Sequence, residues 1–267
     1  MARVILAGAA ASLIGVSSSV GATLFSDDFT YSNGNLVGRG GWLQTGSTAT
    51  SPLQVSNGAA SLGISGQDIY SPLVSVLTLS PGTGFYYGLT INVSAAQATG
   101  DYFIHFTPTV GDSSSFFGRT FIKSSGAGFV LGYLEVSGGT ANYGSTVLSF
   151  NTSYRLVVAY NSVSGTLNDT ASLYVNPSNS VVEGQNSPYL SDTWTSATAE
   201  PAAIAALNLR QGKGGGSAAP TLTVDLLSAG DAFSSAAGFS PVPEPSTWAL
   251  FGAGVIGLGF VFRLKAK

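Results

Sequence analysis

The residues in this chain that could do chemistry are few and widely spaced. There is one histidine, His105, no cysteine, and acids that stand singly except for the Asp27-Asp28 pair. A sugar hydrolase needs two carboxylates across a ring, one held protonated and one ionised. Glu135 is followed by Val136, Ser137 and Gly138, while Glu183 and Glu200 fall in loop-like segments, so each reads as a solvated carboxylate. A Ser-His-Asp arrangement would have to use His105, and no Gly-x-Ser-x-Gly turn is present to carry its nucleophile. Catalysis is therefore not expected.

Two binding chemistries remain. Calcium takes about six to eight oxygen ligands and needs neither histidine nor cysteine. Asp27, Asp28 and Asp225 are the candidate ligands; the competing reading turns one acid into solvent and bonds another to backbone groups at a strand edge, since no EF-hand spacing is present. Sugar sites use aromatic faces with a few polar groups beside them. Trp42, after Gly40-Gly41, is expected to pack at a sheet corner, and Trp194, within Ser191–Ser196, is the candidate exposed glycan platform.

The elements that must position these residues are strands. Charged residues are 9% of the chain and glycine numbers 35, a makeup that favours turns and strands over helices. Short runs rich in β-branched and aromatic residues, among them Phe85–Val93, Tyr102–Phe106, Phe129–Leu134, Tyr154–Tyr160 and Leu222–Leu227, alternate with turn pairs such as Asn33-Gly34 and Asn57-Gly58. About a dozen strands do not form one open sheet comfortably, so they are expected to split into two packed antiparallel sheets. Alternation in Tyr102–Phe106 predicts that His105 shares a face with Phe103, opposite Tyr102, Ile104 and Phe106. The same argument turns Arg155 towards water.

Charge and cysteine usage exclude further classes. From Thr23 to Ser240 there are six basic and twelve acidic residues, a net charge of −6, so nucleic acid is not an expected partner. Without cysteine there are neither disulfides nor thiolate metal sites, and a single histidine sets zinc aside.

Both ends read as processing devices. Arg3, the apolar run Val4–Val16 and small residues at Val20-Gly21-Ala22 form a signal-peptide pattern, with signal-peptidase cleavage expected after Ala22. At the other end Pro243-Glu244-Pro245 precedes an uncharged segment 247–262 and a basic end 263–267 that begins with Arg263. The prolines hold the entry extended, and a helix over 247–262 would cover about 24 Å, short for a membrane span of about 30 Å. Four glycines in it disfavour a buried soluble helix, and Trp248 and the basic end suit membrane interfaces. This order resembles the PEP-CTERM sorting signal, which implies recognition by an exosortase, processing near the triplet, and delivery to the cell surface or extracellular matrix.

The middle of the chain carries a second resemblance. Phe25-Ser26-Asp27-Asp28-Phe29, then Asn33-Gly34-Asn35-Leu36 and Gly41-Trp42, together with Leu207–Gly212 and Leu222–Leu227, are similar to the ends of secreted concanavalin A-like jelly-roll domains. The resemblance implies that the first and last long strands lie together, with Asp27 or Asp28 near Asp225. The expected organisation is a signal peptide (1–22), an all-β jelly-roll sandwich (23–238) and a sorting tail (239–267) that anchors the chain in the membrane until it is processed. The expected role is structural or adhesive, with extracellular polysaccharide as partner; a lectin-like module is the alternative and a glycoside hydrolase the least favoured.

Overall fold

The computed structural model describes residues 21–46, 51–136, 138–212 and 219–238. Pro243, Glu244, Pro245, the segment 247–262, Arg263 and nearly all of the leader lie outside the described residues. The strands in the first half are β1 (Thr23–Asp27), β2 (Gly34–Asn35), β3 (Leu43–Gln44), β4 (Gln54–Ser56), β5 (Ala59–Leu62), β6 (Ile69–Thr78), β7 (Gly84–Ala95), β8 (Asp101–Thr107) and β9 (Phe117–Ser125). Those in the second half are β10 (Gly128–Val136), β11 (Asn142–Tyr143), β12 (Leu148–Ser149), β13 (Ser153–Asn161), β14 (Thr170–Val175), β15 (Leu190–Thr193), β16 (Ala203–Leu209) and β17 (Thr221–Gly230), followed by a short helix α1 (Phe233–Ala237).

These strands form two antiparallel sheets. One runs β15-β14-β13-β7-β17-β5-β4-β2, with β1 also on β17, and the other runs β11-β10-β9-β8-β16-β6-β3, with β12 also on β10. The chain crosses between the sheets repeatedly, at β2–β3–β4, through β5–β6–β7–β8, between β12 and β13 and at β15–β16–β17, with the short strands β2, β3, β11 and β15 at the margins, the connectivity of a jelly roll. The resemblance at the termini holds in the register: β1 pairs with β17, with Asp27 opposite Leu227.

Alternation explains why the two sheets stick. Phe85, Tyr87, Leu89, Ile91 and Val93 on β7 and Leu156, Val158 and Tyr160 on β13 point into one core shared with the other sheet. Phe106 closes it, edge-on to Phe85 at 5.5 Å and to Tyr160 at 5.4 Å. Burying each such side chain stabilises the fold by about 1.5–3 kcal/mol, and Phe106→Ala would cost about 3–5 kcal/mol. The strand β6 begins at Ile69 and includes Pro72, which lies beyond the two-residue pairing with β3, where β6 has a neighbour on one side only.

The other face of the larger sheet is covered by α1. Val157, Ala159 and Tyr174 pack against Phe233 and Ala236, and the Phe233 ring meets Tyr174 edge-on at 5.3 Å. Arg155 does not face water as alternation predicts. Its guanidinium lies beneath α1, donating to the Leu226 carbonyl at 2.6 Å, to the Ser228 hydroxyl at 3.2 Å and to the Ala236 carbonyl. The helix makes an inside out of what strand periodicity alone marks as an outside.

Candidate functional site

The three acids proposed for calcium lie close enough for the charges of Asp28 and Asp27 to act on Asp225. Asp27 is buried at the end of β1, and its carboxylate accepts the Phe29 N–H at 2.7 Å, the Trp42 Nε1–H at 2.6 Å and the Tyr31 hydroxyl at 3.1 Å. Both oxygens therefore already face donor hydrogens, where a cation would be repelled. The loop also leaves no room, because Gly40 has φ +53° and a Cβ there would meet the Tyr31 hydroxyl and lie 2.9 Å from Asp27 Oδ2. Asp28 is exposed and accepts the Thr30 hydroxyl at 2.6 Å and its N–H at 3.1 Å, while Asp225 accepts the Leu226 N–H at 2.7 Å. Burial raises the Asp27 carboxyl against the pull of those hydrogen bonds; it also raises Asp225, to which the charges of Asp28 and Asp27 contribute. Among the described residues, no group of three or more His, Cys, Asp or Glu side chains is placed to hold a metal ion. Asp27 is the hydrogen-bonded hub of the loop that precedes Trp42, and Asp28 is the acid turned to solvent, as the competing reading of this cluster has it.

Trp194 is not an exposed platform. It is 3% exposed, stacks on Phe117 with centroids 6.0 Å apart, and donates its indole N–H to the Ser196 and Thr198 carbonyls at 3.1 and 3.0 Å. The polar-rich stretch around it wraps the ring instead of presenting it.

A different set of residues meets on the outer face of the smaller sheet. The register of β8 against β9 slips between Tyr102 and Ile104 and again between Ile104 and Phe106. This irregularity sends both Phe103 and Ile104 into the core, and places His105 beside Tyr102, ring centroids 5.5 Å apart. Strict alternation would have put His105 opposite Tyr102, so that expectation is also corrected. Next to it on β16, Asn208 pairs with His105, and from β9 come Arg119, Phe121 and Lys123. Tyr143 on β11 reaches over β10 to Phe121, at 6.3 Å, because position 132 is glycine: a Cβ there would be 2.6 Å from the Tyr143 ring.

Cations and rings interleave along this strip. The Arg119 guanidinium lies 5.1 Å from the Tyr102 centroid and 5.4 Å from that of Phe121; Arg210 lies 4.2 Å over Tyr102; the Lys123 ammonium lies 4.0 Å over Tyr143. Arg210 also pairs with Asp101 at 2.8 Å. Several polar atoms here are buried with no hydrogen-bond partner: both ring nitrogens of His105, Nε of Arg119 and Oδ1 of Asn208. Burial, reinforced by the charges of Arg210 and Arg119, pushes the His105 imidazole down to about 3 and keeps it neutral, with one nitrogen a donor and the other an acceptor. Phe116, at the end of the β8–β9 loop, closes over this histidine with ring centroids 4.7 Å apart. The arrangement offers donors and acceptors together, between aromatic rings, which is what a polyhydroxylated ligand requires.

A second pair of acids sits at the flank where β10 approaches β15. Burial raises both Glu135 and Asp192, the charge of Asp192 adds to the rise at Glu135, and Glu135 Oε1 has no partner. Glu135 is thus a buried acid, not the solvated one that its sequence setting suggests.

Residues 241–265 match the PEP-CTERM protein-sorting motif, which implies an exported protein sorted to the cell surface through exosortase. A comparison with curated proteins found no match. Among solved structures, the chain is similar to the CBM2 module of the evolved Dit of Lactobacillus casei BL23 phage J-1, with 12% identity, TM-score 0.45 and coverage of 79% of this chain and 95% of that one. It is similar to the T. cruzi calreticulin globular domain at 8% identity and TM-score 0.46, covering 79% and 88% of the two chains. A third is basic winged bean lectin with Tn-antigen, at 11% identity and TM-score 0.42, covering 72% and 92%.

Proposed function

We propose that this chain is an exported, non-catalytic adhesive protein of the cell surface or extracellular matrix that binds polysaccharide through the outer face of its smaller sheet. Signal peptidase removes residues 1–22, the segment 247–262 holds the chain in the membrane, and exosortase processes the tail near Pro243-Glu244-Pro245. The observation that carries the binding reading is the strip from Asn208 to Tyr143, in which buried polar atoms without partners lie between aromatic rings. A buried unpaired polar atom costs about 1–3 kcal/mol, and sugar hydroxyls both donate and accept, so a saccharide is suited to relieve donors and acceptors at once. No step of catalysis is assigned to Glu135 and Asp192.

The test has two parts. Intact-mass analysis of the native protein in fractions of its own cells should find a species lacking the first 22 residues and the tail beyond the triplet, in matrix or medium; a membrane form retaining Lys267 contradicts the sorting reading. Glycan-array binding should be present and should drop on Tyr143→Ala, with no glycan turned over. Uniform absence of binding sinks the polysaccharide reading.

A further inference from the structure

Of the described cations, Arg39, Arg119, Lys123, Arg155 and Arg210, three lie along the one strip, although the domain as a whole is acidic. The acids in their neighbourhood have other duties. Asp101 is held by Arg210 at 2.8 Å. Asp112, in the β8–β9 loop, accepts the backbone N–H groups of Ser114 and Ser115 at 2.8 and 3.0 Å and the Ser114 hydroxyl at 2.9 Å. Asp68 accepts the Gln211 N–H at 2.9 Å. Arg119 forms no ion pair among the described residues: one Nη donates to the Val136 carbonyl at 2.7 Å, two rings flank the guanidinium, and Nε is buried without a partner. A charge this far from water, whose nearby carboxylate Asp101 is also engaged by Arg210, is a costly arrangement that an incoming anion relieves.

We infer that the saccharide is anionic, a uronate-type polysaccharide whose carboxylate accepts from Arg119, with Lys123 meeting the next acidic sugar along the strand. This rests on the polysaccharide reading of the same strip. Neutral His105 supplies one donor and one acceptor to ring hydroxyls, and Asn208 Oδ1 accepts another. Entry requires the loop 108–116 to carry the Phe116 ring off His105.

The experiment titrates the full-length chain in detergent with hexamers of galacturonate, mannuronate and glucuronate, each alongside its carboxyl-reduced neutral counterpart. At least one acid should bind tenfold or more tighter than its neutral partner, about 1.4 kcal/mol, and the preference should fade with added salt. Arg119→Gln should weaken the acidic glycan at least tenfold more than its neutral counterpart and so abolish the preference. Lys123→Gln, at a more accessible position that spares the fold, should reduce it and lower the salt sensitivity. If acid and neutral forms bind equally and both are lost on Tyr143→Ala, the strip binds glycans and the anionic inference is overturned. If none of the six binds, both the inference and the polysaccharide reading fail.

Discussion

The indole N–H of Trp42 meets Asp27 at 2.6 Å, fifteen residues away in sequence, and this bond ties the loop after β1 into the core. Trp42 is fully buried, stacked on Phe29 at 6.1 Å and edge-on to Phe25 at 5.6 Å. Trp42→Phe keeps most of that packing and removes the donor, so it should destabilise the fold by about 1–3 kcal/mol in urea titrations. Because the Asp27 oxygens face donors, millimolar calcium should not raise the melting temperature relative to chelator. A calcium-dependent rise would restore the metal reading.

His105 should make the domain acid-sensitive. Its folded pKa of about 3 lies below the unfolded value of about 6.5, so the unfolded chain binds the extra proton between those limits. Its stabilising contribution is complete above about 6.5 and is lost progressively as pH falls towards about 3. Asp27, Glu135, Asp192 and Asp225 act in the opposite sense: burial raises each, so the folded state takes up their protons first and is relatively favoured as pH drops. His105→Gln should remove the first effect and expose the second. Urea midpoints from pH 7 to pH 4 should fall less steeply for the variant than for the parent, and parallel curves would show that His105 is not the sensor.

Arg155 should control the docking of α1. Its burial pulls the guanidinium down to about 10, and it remains charged while bonding Leu226, Ser228 and Ala236. Arg155→Ala removes the side-chain donor to the Leu226 carbonyl and leaves the Ala236 carbonyl with the Ser228 hydroxyl at 3.3 Å, a loss of about 1–3 kcal/mol. Hydrogen exchange should accelerate first at residues 233–238, with β7 and β13 still protected. Equal protection there would mean that Phe233 alone holds the helix.

Leu226 sits in the left-handed region, with φ 49°, where the β7–β17 register slips between Asp225 and Ser228. A bulky residue pays about 1–2 kcal/mol for that conformation, and asparagine tolerates it better. Leu226→Asn should therefore raise stability by up to about 1 kcal/mol in thermal melts, and a loss would mean that the leucine side chain packs better than its partial exposure indicates.

Trp194 and Tyr143 should separate folding from binding. Trp194→Ala empties a buried site and should cost about 3–5 kcal/mol while leaving the glycan affinity of the folded fraction unchanged. Tyr143→Ala should do the reverse, a modest stability loss with a large loss of affinity. A common loss of both in either variant would place the ligand elsewhere.

Local order in the chain determined the class of fold and the address. Apolar alternation between turn residues is enough to produce antiparallel strands, as in β7 and β13, and their number forces two sheets. The tail is legible because its signal is contiguous: prolines, an uncharged run and a basic end act on whatever recognises them in order. What tertiary structure decided are the faces. Period-two reasoning assigns a side only while the register is regular, and the slips within β8 moved His105 to the side of Tyr102. The same reasoning cannot see a covering layer, so Arg155 under α1 and Trp194 under its own loop read as outward and lie inside. The strip from Asn208 to Tyr143 joins β16, β8, β9 and β11 across more than a hundred residues of chain, and only strand pairing brings those side chains together.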